Sequence, residues 1–432
     1  MQTKLAPEFA NTPDGIEAEA ILRKCVHCGF CTATCPTYQL LGDELDGPRG
    51  RIYLMKQVLE GVEPTRATQL HLDRCLTCRN CESTCPSGVE YGHLVEIGRR
   101  VVDAKVARPA GELATRWLLR EGLTSPLFGP ALKLGQAMRP LLPKSLKAKV
   151  EPKAPGGVVR EGLWPQRTHA RKVLMLMGCV QPAMRPNINA ATARVLDLAG
   201  VQTMVPDGAG CCGAVRSHGG DHDGGLADMR RNIDAWWPWV AGLTEGGAVE
   251  AIVMNASGCG VTVKDYGHAL AHDPDYAEKA ARVSGLTRDL SELLDGLMPA
   301  LLAHWSGVRQ RRGAESPEHR SGVPLVFHPP CTLQHGQQLR GGVEKMLSAL
   351  DFDVRLAASE SHLCCGSAGT YSVLQPVIAT QLRDRKLAAL AAAQPEPRAI
   401  VSANIGCISH LQSGTATPVR HWIELVDERL AG

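Results

Sequence analysis

No stretch of this 432-residue chain strings together the ~18 consecutive apolar residues that a membrane-spanning helix needs. Its opening, Met1 to Leu22, lacks the charged start and apolar run of an export signal. A charge excess is missing as well. Lys and Arg number 47 against 44 Asp and Glu, and the resulting +3 is too small for strong electrostatic capture of nucleic acid, so no nucleic-acid partner is expected. Neither a Walker loop nor a G-x-G-x-x-G after a strand is read in the chain, and no flavin or nucleotide is expected on it. The expectation is a cytoplasmic protein, peripheral on the cytoplasmic face of the inner membrane where it meets a membrane at all.

What the chain has in quantity is cysteine, 16 residues in all. A long chain without an export signal sits in a reducing compartment, where clustered cysteines serve as metal ligands or redox groups rather than disulfides. They fall into two sets, each internally duplicated. In the first, Cys25, Cys28, Cys31 and Cys35 follow C-x2-C-x2-C-x3-C with Pro36 next, and Cys75, Cys78, Cys81 and Cys85 repeat the spacing with Pro86 next. Three thiolates at this spacing wrap a loop around one face of a cubane. The fourth, carried past the loop on the next helical turn and stopped by proline, points to the neighbouring site. Structural zinc uses two separated ligand pairs and has no role for a third cysteine in one loop. The pattern resembles a bacterial two-cluster ferredoxin, in which the fourth cysteine of each motif ligates the other cluster. Cys25, Cys28, Cys31 and Cys85 are therefore expected to hold one [4Fe-4S] cluster, and Cys75, Cys78, Cys81 and Cys35 a second.

Between the motifs, Gly47-Pro48-Arg49-Gly50-Arg51 opens a helical pattern from Ile52 to Leu59. Arg49 and Arg51 can either offset a cluster's negative charge or lie solvated in the first turn. His27 and His71 read as packing or surface residues, because cysteine fills every ligand position. A second helical pattern runs from Tyr91 to Val106. From Gly122 to Val150 no acidic residue occurs, while Lys133, Arg139, Lys144, Lys147 and Lys149 interleave with Leu127, Phe128, Leu132, Leu134, Met138, Leu141 and Leu142. Pro126, Pro130 and Pro143 are expected to break any long helix. Such a segment suits an anionic membrane interface, a partner surface or a connector, and connector is the favoured reading. The division expected is a ferredoxin-type domain at 1–110, a basic connector and linker at 111–171, one repeat at 172–305, a polar hinge at 306–323 and a second repeat at 324–432.

The second cysteine set fills those repeats. Val173 to Met177 leads into Cys179, followed by Cys211-Cys212-Gly213 and then Cys259. Leu325 to Phe327 leads into Cys331, followed by Cys364-Cys365-Gly366 and then Cys407. Short apolar runs, such as Ile252 to Met254 and Ala399 to Val401, alternate with helical stretches. That alternation predicts α/β units on a parallel sheet with the cysteines in loops at strand ends. An internal duplication accounts for the pattern. The fold class expected is thus an α-helical two-[4Fe-4S] ferredoxin domain followed by a duplicated α/β domain.

The C-terminal half resembles the duplicated Cys-Cys-Gly (CCG) domain of heterodisulfide reductase-type proteins. Cys25-Val-His-Cys-Gly-Phe-Cys-Thr-Ala-Thr-Cys-Pro-Thr-Tyr, Gly42-Asp-Glu-Leu-Asp-Gly-Pro-Arg-Gly-Arg-Ile-Tyr, Asn232-Ile-Asp-Ala-Trp-Trp-Pro and Cys364-Cys-Gly-Ser-Ala-Gly-Thr-Tyr extend the likeness over nearly the whole chain. Together they resemble the iron-sulfur subunits of bacterial glycolate oxidase. The resemblance implies two flavin-binding partner subunits, oxidation of glycolate to glyoxylate, and electrons passed to quinone or another respiratory carrier. Nothing in the chain resembles a hydride-abstracting site for a 2-hydroxy acid, so no catalytic residue is assigned to it. Equivalent subunits serving lactate or glycerol 3-phosphate, or a CCG-domain thiol–disulfide reductase, are the alternatives.

One departure bears on the cofactor count. The wider CCG pattern ends in C-x-x-C, and here Ala256 and Asn404 replace the first cysteine of that pair. Cys179, Cys211, Cys212 and Cys259, or Cys331, Cys364, Cys365 and Cys407, can still hold a third iron-sulfur cluster, or act as redox thiols. His218, His328, His335 and His362 lie close to these cysteines in sequence and are candidates to move a proton or bond a quinone, although most such histidines satisfy backbone groups. Trp236, Trp237 and Trp239 read equally as an interface anchor or as core.

Overall fold

The computed structural model describes residues 1–141, 163–244, 247–312 and 322–431. The first unit is helical. Pro13–Lys24 starts where the Thr12 hydroxyl accepts from Gly15 N–H at 3.0 Å and Pro13 presets the first turn. Pro48–Leu59 begins the same way, at proline, and Tyr91–Lys105 follows the second cysteine motif. Leu22, Met55, Leu72 and Leu94 close a core between these helices, and that core runs up to Cys25, Cys75 and Cys81.

Each repeat carries a four-stranded parallel sheet. Strands β1 (Arg171–Met175), β2 (Val201–Met204), β3 (Ala251–Met254) and β4 (Thr287–Asp289) lie in the order β2-β1-β3-β4. Strands β5 (Val323–His328), β6 (Phe352–Leu356), β7 (Ala399–Ser402) and β8 (Val419–His421) lie in the matching order β6-β5-β7-β8. Central strands β3 and β7 are buried at every position, as their unbroken apolar runs require of a sheet covered on both faces. The register pairs Val173 with Ala251 in one sheet and Leu325 with Ala399 in the other, so the duplication holds at the level of individual residues.

The two repeats share a core. Helix Pro186–Leu198 of the first packs on helix Trp422–Ala431 of the second, across a buried Arg194–Asp427 ion pair at 2.7 Å. The helical unit contacts both repeats. Tyr371 Oη donates to Arg74 O at 2.9 Å and Asn80 Nδ2 to His362 O at 3.3 Å on one side, and His93 meets Asp265 at 3.3 Å on the other.

The elements differ from expectation in two places. Helix Leu290–Arg312 runs through the start of the anticipated 306–323 hinge, because its apolar face (Leu301, Trp305, Val308) is buried in the shared core. In the connector, Pro130 lies inside helix Phe128–Met138 rather than breaking it, since a proline in the first turn removes no intrahelical hydrogen bond. Helix Ala110–Thr124 precedes it, and the part of the connector that carries Leu142, Pro143, Lys144, Lys147 and Lys149 lies outside the described residues.

Candidate metal centres

The two ferredoxin-type loops adopt one conformation. His27 and Gly29 in the first, and Thr77 and Arg79 in the second, have left-handed φ of 58°, 85°, 52° and 58°. Three of the four are not glycine, so the backbone is strained at matching positions in both loops. Such turns gather amide N–H groups around an anion, and Thr77 N–H lies 3.4 Å from Cys75 Sγ. Each fourth cysteine follows a short helix, Phe30–Ala33 or Asn80–Thr84, and Cys85 caps the second with Pro86 next, as expected, whereas the first motif departs at its proline. Cys35 is the N-cap of helix Pro36–Leu41, and Pro36 opens that helix instead of stopping the previous one. A fixed φ and an absent N–H suit the first helical position.

Two concavities result. One, of about 440 Å³, is lined by Cys25, Cys28, Cys31, Cys81 and Cys85. The other, of about 300 Å³, is lined by Cys35, Cys75, Cys78 and Cys81. Cys81 lines both, and each concavity joins cysteines of one motif to the fourth cysteine of the other. Burial, followed by the neighbouring sulfurs Cys25, Cys85 and Cys28, pushes Cys31 up to about 11. Burial likewise holds Cys78 and Cys81 well above the ordinary thiol range. Burial also raises Cys75, but the Arg51 and Arg99 guanidinium groups outweigh it and leave that thiol lowered. Sulfurs from both loops converge on each concavity, and this donor set fits an iron-sulfur cluster in both.

Arg51 belongs to the second concavity. It is 1% exposed, donates to His71 O at 2.7 Å and to Thr37 Oγ1 at 3.2 Å, and faces Asp46 at 3.5 Å. Arg49 lines the first concavity while bonded to Glu44 at 2.6 Å. Arg51 is thus no solvated first-turn residue, whereas Arg49 stays partly exposed in the first turn of Pro48–Leu59. His71 is occupied by Asp46 at 3.0 Å, and His27 lies in the strained loop.

In the repeats, every cysteine follows the carboxyl end of a strand, but Cys259 and Cys407 lie in the first turn of helices Ser257–Lys264 and Ile405–Gln412 and not in loops as expected. Cys179 and Cys259 follow β1 and β3, the neighbouring strands from which the chain winds in opposite directions, and Cys211-Cys212 follow β2. Cys331, Cys407 and Cys364-Cys365 repeat this after β5, β7 and β6. Loops at such a switch point converge on a crevice. The sulfurs of Cys179, Cys211, Cys212 and Cys259 form one contact chain. Those of Cys331, Cys364, Cys365 and Cys407 form another, with Cys331 and Cys364 at 3.8 Å. All 16 cysteines are free thiols.

The glycine of each Cys-Cys-Gly has a steric reason. Gly213 and Gly366 have φ of 94° and 88°, and a Cβ on Gly366 would stand 2.5 Å from Ala379 O of the following helix. Asn232 then locks the first loop, accepting from Gly210 N–H at 2.8 Å and donating to Cys211 O at 2.7 Å, while Tyr266 Oη donates to Cys212 O at 2.9 Å. Here a correction is due: Gly208-Ala-Gly-Cys-Cys-Gly213 does spell G-x-G-x-x-G after a strand. It follows edge strand β2, leads into the five-residue helix Ala214–His218, and carries the paired buried cysteines at its variable positions. Its polar backbone groups bond Asn232 and Tyr266, so it is a thiol loop and not a phosphate cradle.

The replacements for the missing fifth cysteines face the repeat–repeat seam. Asn404 Oδ1 accepts from Gly258 N–H at 3.3 Å, and Ser257 N–H, beside Ala256, donates to Ala403 O at 3.0 Å. The histidines divide. His335 bonds Ser83 at 3.0 Å and His362 O at 2.8 Å, and so joins the helical unit to the second repeat. His218 ends the short helix Ala214–His218 and is exposed to solvent. His328 lies beside Cys365 and Cys407. Trp236 is fully buried and Trp237 and Trp239 pack against the same core, which settles them as packing residues. Sequence reading missed Asn232, Tyr266, Tyr371, Arg99 and the buried Lys386 as parts of the site. Their only signal is polarity at buried positions, which no spacing reveals.

Residues 21–89 match the 4Fe-4S dicluster domain family, and residues 173–264 and 325–412 match the cysteine-rich domain family. The chain is 52% identical over 431 residues, 100% of this chain and 99% of the relative, to the glycolate oxidase iron-sulfur subunit of Escherichia coli (strain K12). It belongs to the glycolate oxidase iron-sulfur subunit family. Within that family, a probable glycolate oxidase iron-sulfur subunit of Bacillus subtilis (strain 168) is 29% identical over 92% of this chain and 89% of its own. Lactate utilization protein A of the same organism is more distant, at 23% over 56% of this chain and 90% of its own.

Proposed function

We propose that this chain is the electron-transfer subunit of a glycolate-oxidising complex, taking electrons from two flavin-binding partner subunits and delivering them to quinone or another respiratory carrier. The observation that carries the reading is a line of thiol sites leading inward from the surface. Cys28 is exposed at the first concavity, the second concavity is buried, and Cys78 in it neighbours Cys331 and Cys364 of the second repeat. Leu76, Cys78, Cys331, Cys364 and Tyr371 belong to one packed cluster, so that last step crosses no solvent.

Cys25, Cys28, Cys31 and Cys85 would hold one [4Fe-4S] cluster and Cys35, Cys75, Cys78 and Cys81 the second, with a third centre in the second repeat. When bound, such clusters carry single electrons, which suits a chain linking a two-electron flavin to a respiratory acceptor. The protein's own part is to place the sulfurs, exclude water and set the local charge through Arg51, Arg99 and Lys386.

Among the described residues no helix is long and apolar enough to cross a membrane. Helices Ala110–Thr124 and Phe128–Met138 nevertheless expose Leu113, Trp117, Leu118, Leu127, Leu134 and Met138, in a stretch whose second half carries only basic charge. The buried ion pair of Arg116 with Asp73 ties the connector to the helical unit. An apolar face with basic flanks suits peripheral docking on an anionic cytoplasmic membrane surface.

The test uses the assembled complex, followed in two readouts: flavin bleaching by glycolate and glycolate-dependent quinone reduction. Cys28→Ser and Cys78→Ser should abolish the second and spare the first. Full quinone reduction in either variant would overturn the proposal. Co-sedimentation with anionic vesicles, lost in Trp117→Glu, checks the membrane surface.

A further inference from the structure

His328 ends β5, three residues before Cys331, and its backbone is fixed by pairing with Ser402 of β7 and by the Ser402 hydroxyl donating to His328 O at 2.9 Å. Its side chain is 1% exposed, and neither Nδ1 nor Nε2 has a hydrogen-bond partner. A buried imidazole with both nitrogens unpartnered is unfavourable unless a further group bonds it. The neighbouring buried histidines are not in this position: His335 bonds Ser83 and His362 O, and His410 bonds Ala379 O at 3.0 Å. The nearby cation is not the partner: the Lys386 ammonium is directed to Glu360 O and Ser361 O.

What does lie beside the imidazole is sulfur. One ring nitrogen of His328 and the sulfurs of Cys365 and Cys407 all fall within 4.8 Å of one another, and the Cys365 sulfur continues the contact chain to Cys364 and Cys331. The first repeat has no counterpart. Leu176 occupies the position three residues before Cys179 and is packed in the core with Cys212. The two repeats therefore share strand order and cysteine spacing but differ by one nitrogen donor.

We propose that His328 is a metal ligand, so that the second repeat holds a mixed nitrogen–sulfur centre while the first offers thiolates alone. The proposal rests on the reading that the second repeat binds a metal centre. With five donors available, His328 would take the coordination position of one of the four thiolates, and a nitrogen there removes one negative charge from the ligand set and raises the reduction potential, as in clusters where histidine replaces cysteine. The site next to Cys78 would then lie energetically below the thiolate-only clusters and draw electrons toward the second repeat.

The experiment uses the full chain purified anaerobically, with metal and acid-labile sulfide analysis, pulsed EPR for strongly coupled ¹⁴N, and X-ray absorption at the edge of the metal found. Cys365→Ser first identifies the metal and the signal that belong to this repeat. The wild type should then show a directly bound nitrogen on that centre. His328→Cys should keep the metal, lose the nitrogen coupling and shift the potential downward. His328→Ala should bind the metal on the order of tenfold more weakly. Nitrogen coupling that survives in His328→Cys, or metal content and spectrum unchanged in His328→Ala, would refute the ligand. Metal content unchanged by Cys365→Ser would instead remove the centre itself, and the proposal with it.

Discussion

Replacing Arg51 by methionine keeps the length of a buried side chain and deletes its charge. The guanidinium is 1% exposed and lines the concavity of Cys35, Cys75 and Cys78, so solvent hardly screens it. A unit charge roughly 8 Å from a cluster, acting through an effective dielectric of about 20, contributes ~2 kcal/mol. For a one-electron couple this corresponds to a potential ~90 mV lower in the variant. Asp46 keeps Arg74 at 2.8 Å and His71 at 3.0 Å, so the carboxylate is not orphaned and the fold should survive. The assay is an EPR-monitored redox titration of anaerobically purified protein, with Arg51→Lys as the charge-preserving control and Lys24→Met, at an exposed ion pair, as the screened one. A shift below ~20 mV, or an upward one, would refute the argument that buried charge sets this potential.

The exchange of fourth ligands predicts that Cys85→Ser perturbs the same EPR signal as Cys28→Ser, and that Cys35→Ser perturbs the signal affected by Cys78→Ser; pairing by motif instead would contradict the two concavities. Gly366→Ala forces a Cβ to within 2.5 Å of Ala379 O at a left-handed φ, and should cost roughly 1–3 kcal/mol, a melting-temperature loss of roughly 5 °C by calorimetry. His93 joins the helical unit to the first repeat. Burial alone lowers its pKa, but the Asp265 and Glu17 carboxylates outweigh this and lift it to about 10. Its stabilising contribution is thus complete below the ordinary histidine value and fades as pH rises toward 10. The melting-temperature gap between wild type and His93→Gln should be widest near pH 6 and should close above pH 10.

The periodic features were legible before any coordinates. The duplicated C-x2-C-x2-C-x3-C motif, the duplicated Cys-Cys-Gly and the apolar runs at β1, β3, β5 and β7 are local patterns, and local backbone geometry is enough to decode them. The helix at Pro48–Leu59 and the strand-end placement of the cysteines followed from the same kind of reasoning. Less legible were boundaries set by packing, such as Leu290–Arg312, which continues because Trp305 and Val308 find a core supplied by another part of the chain. The letters of a nucleotide fingerprint at Gly208–Gly213 were uninformative for a related reason: the meaning of a glycine loop depends on which strand it follows and on what its amides bond.

By itself, then, the sequence determined which atoms are available for metal binding, in what order, and on which kind of local turn. Tertiary structure decided how they are shared. It brings Cys85 to the first loop and Cys35 to the second, and sets Cys78 against Cys331 and Cys364. It buries Arg51 beside thiols instead of in water, and leaves His328 with sulfur for company and Leu176 with none of that role. Spacing along a chain fixes only what lies within a turn or two. Charge, solvation and the choice of a ligand's partner depend on distance through space, and folding sets that distance.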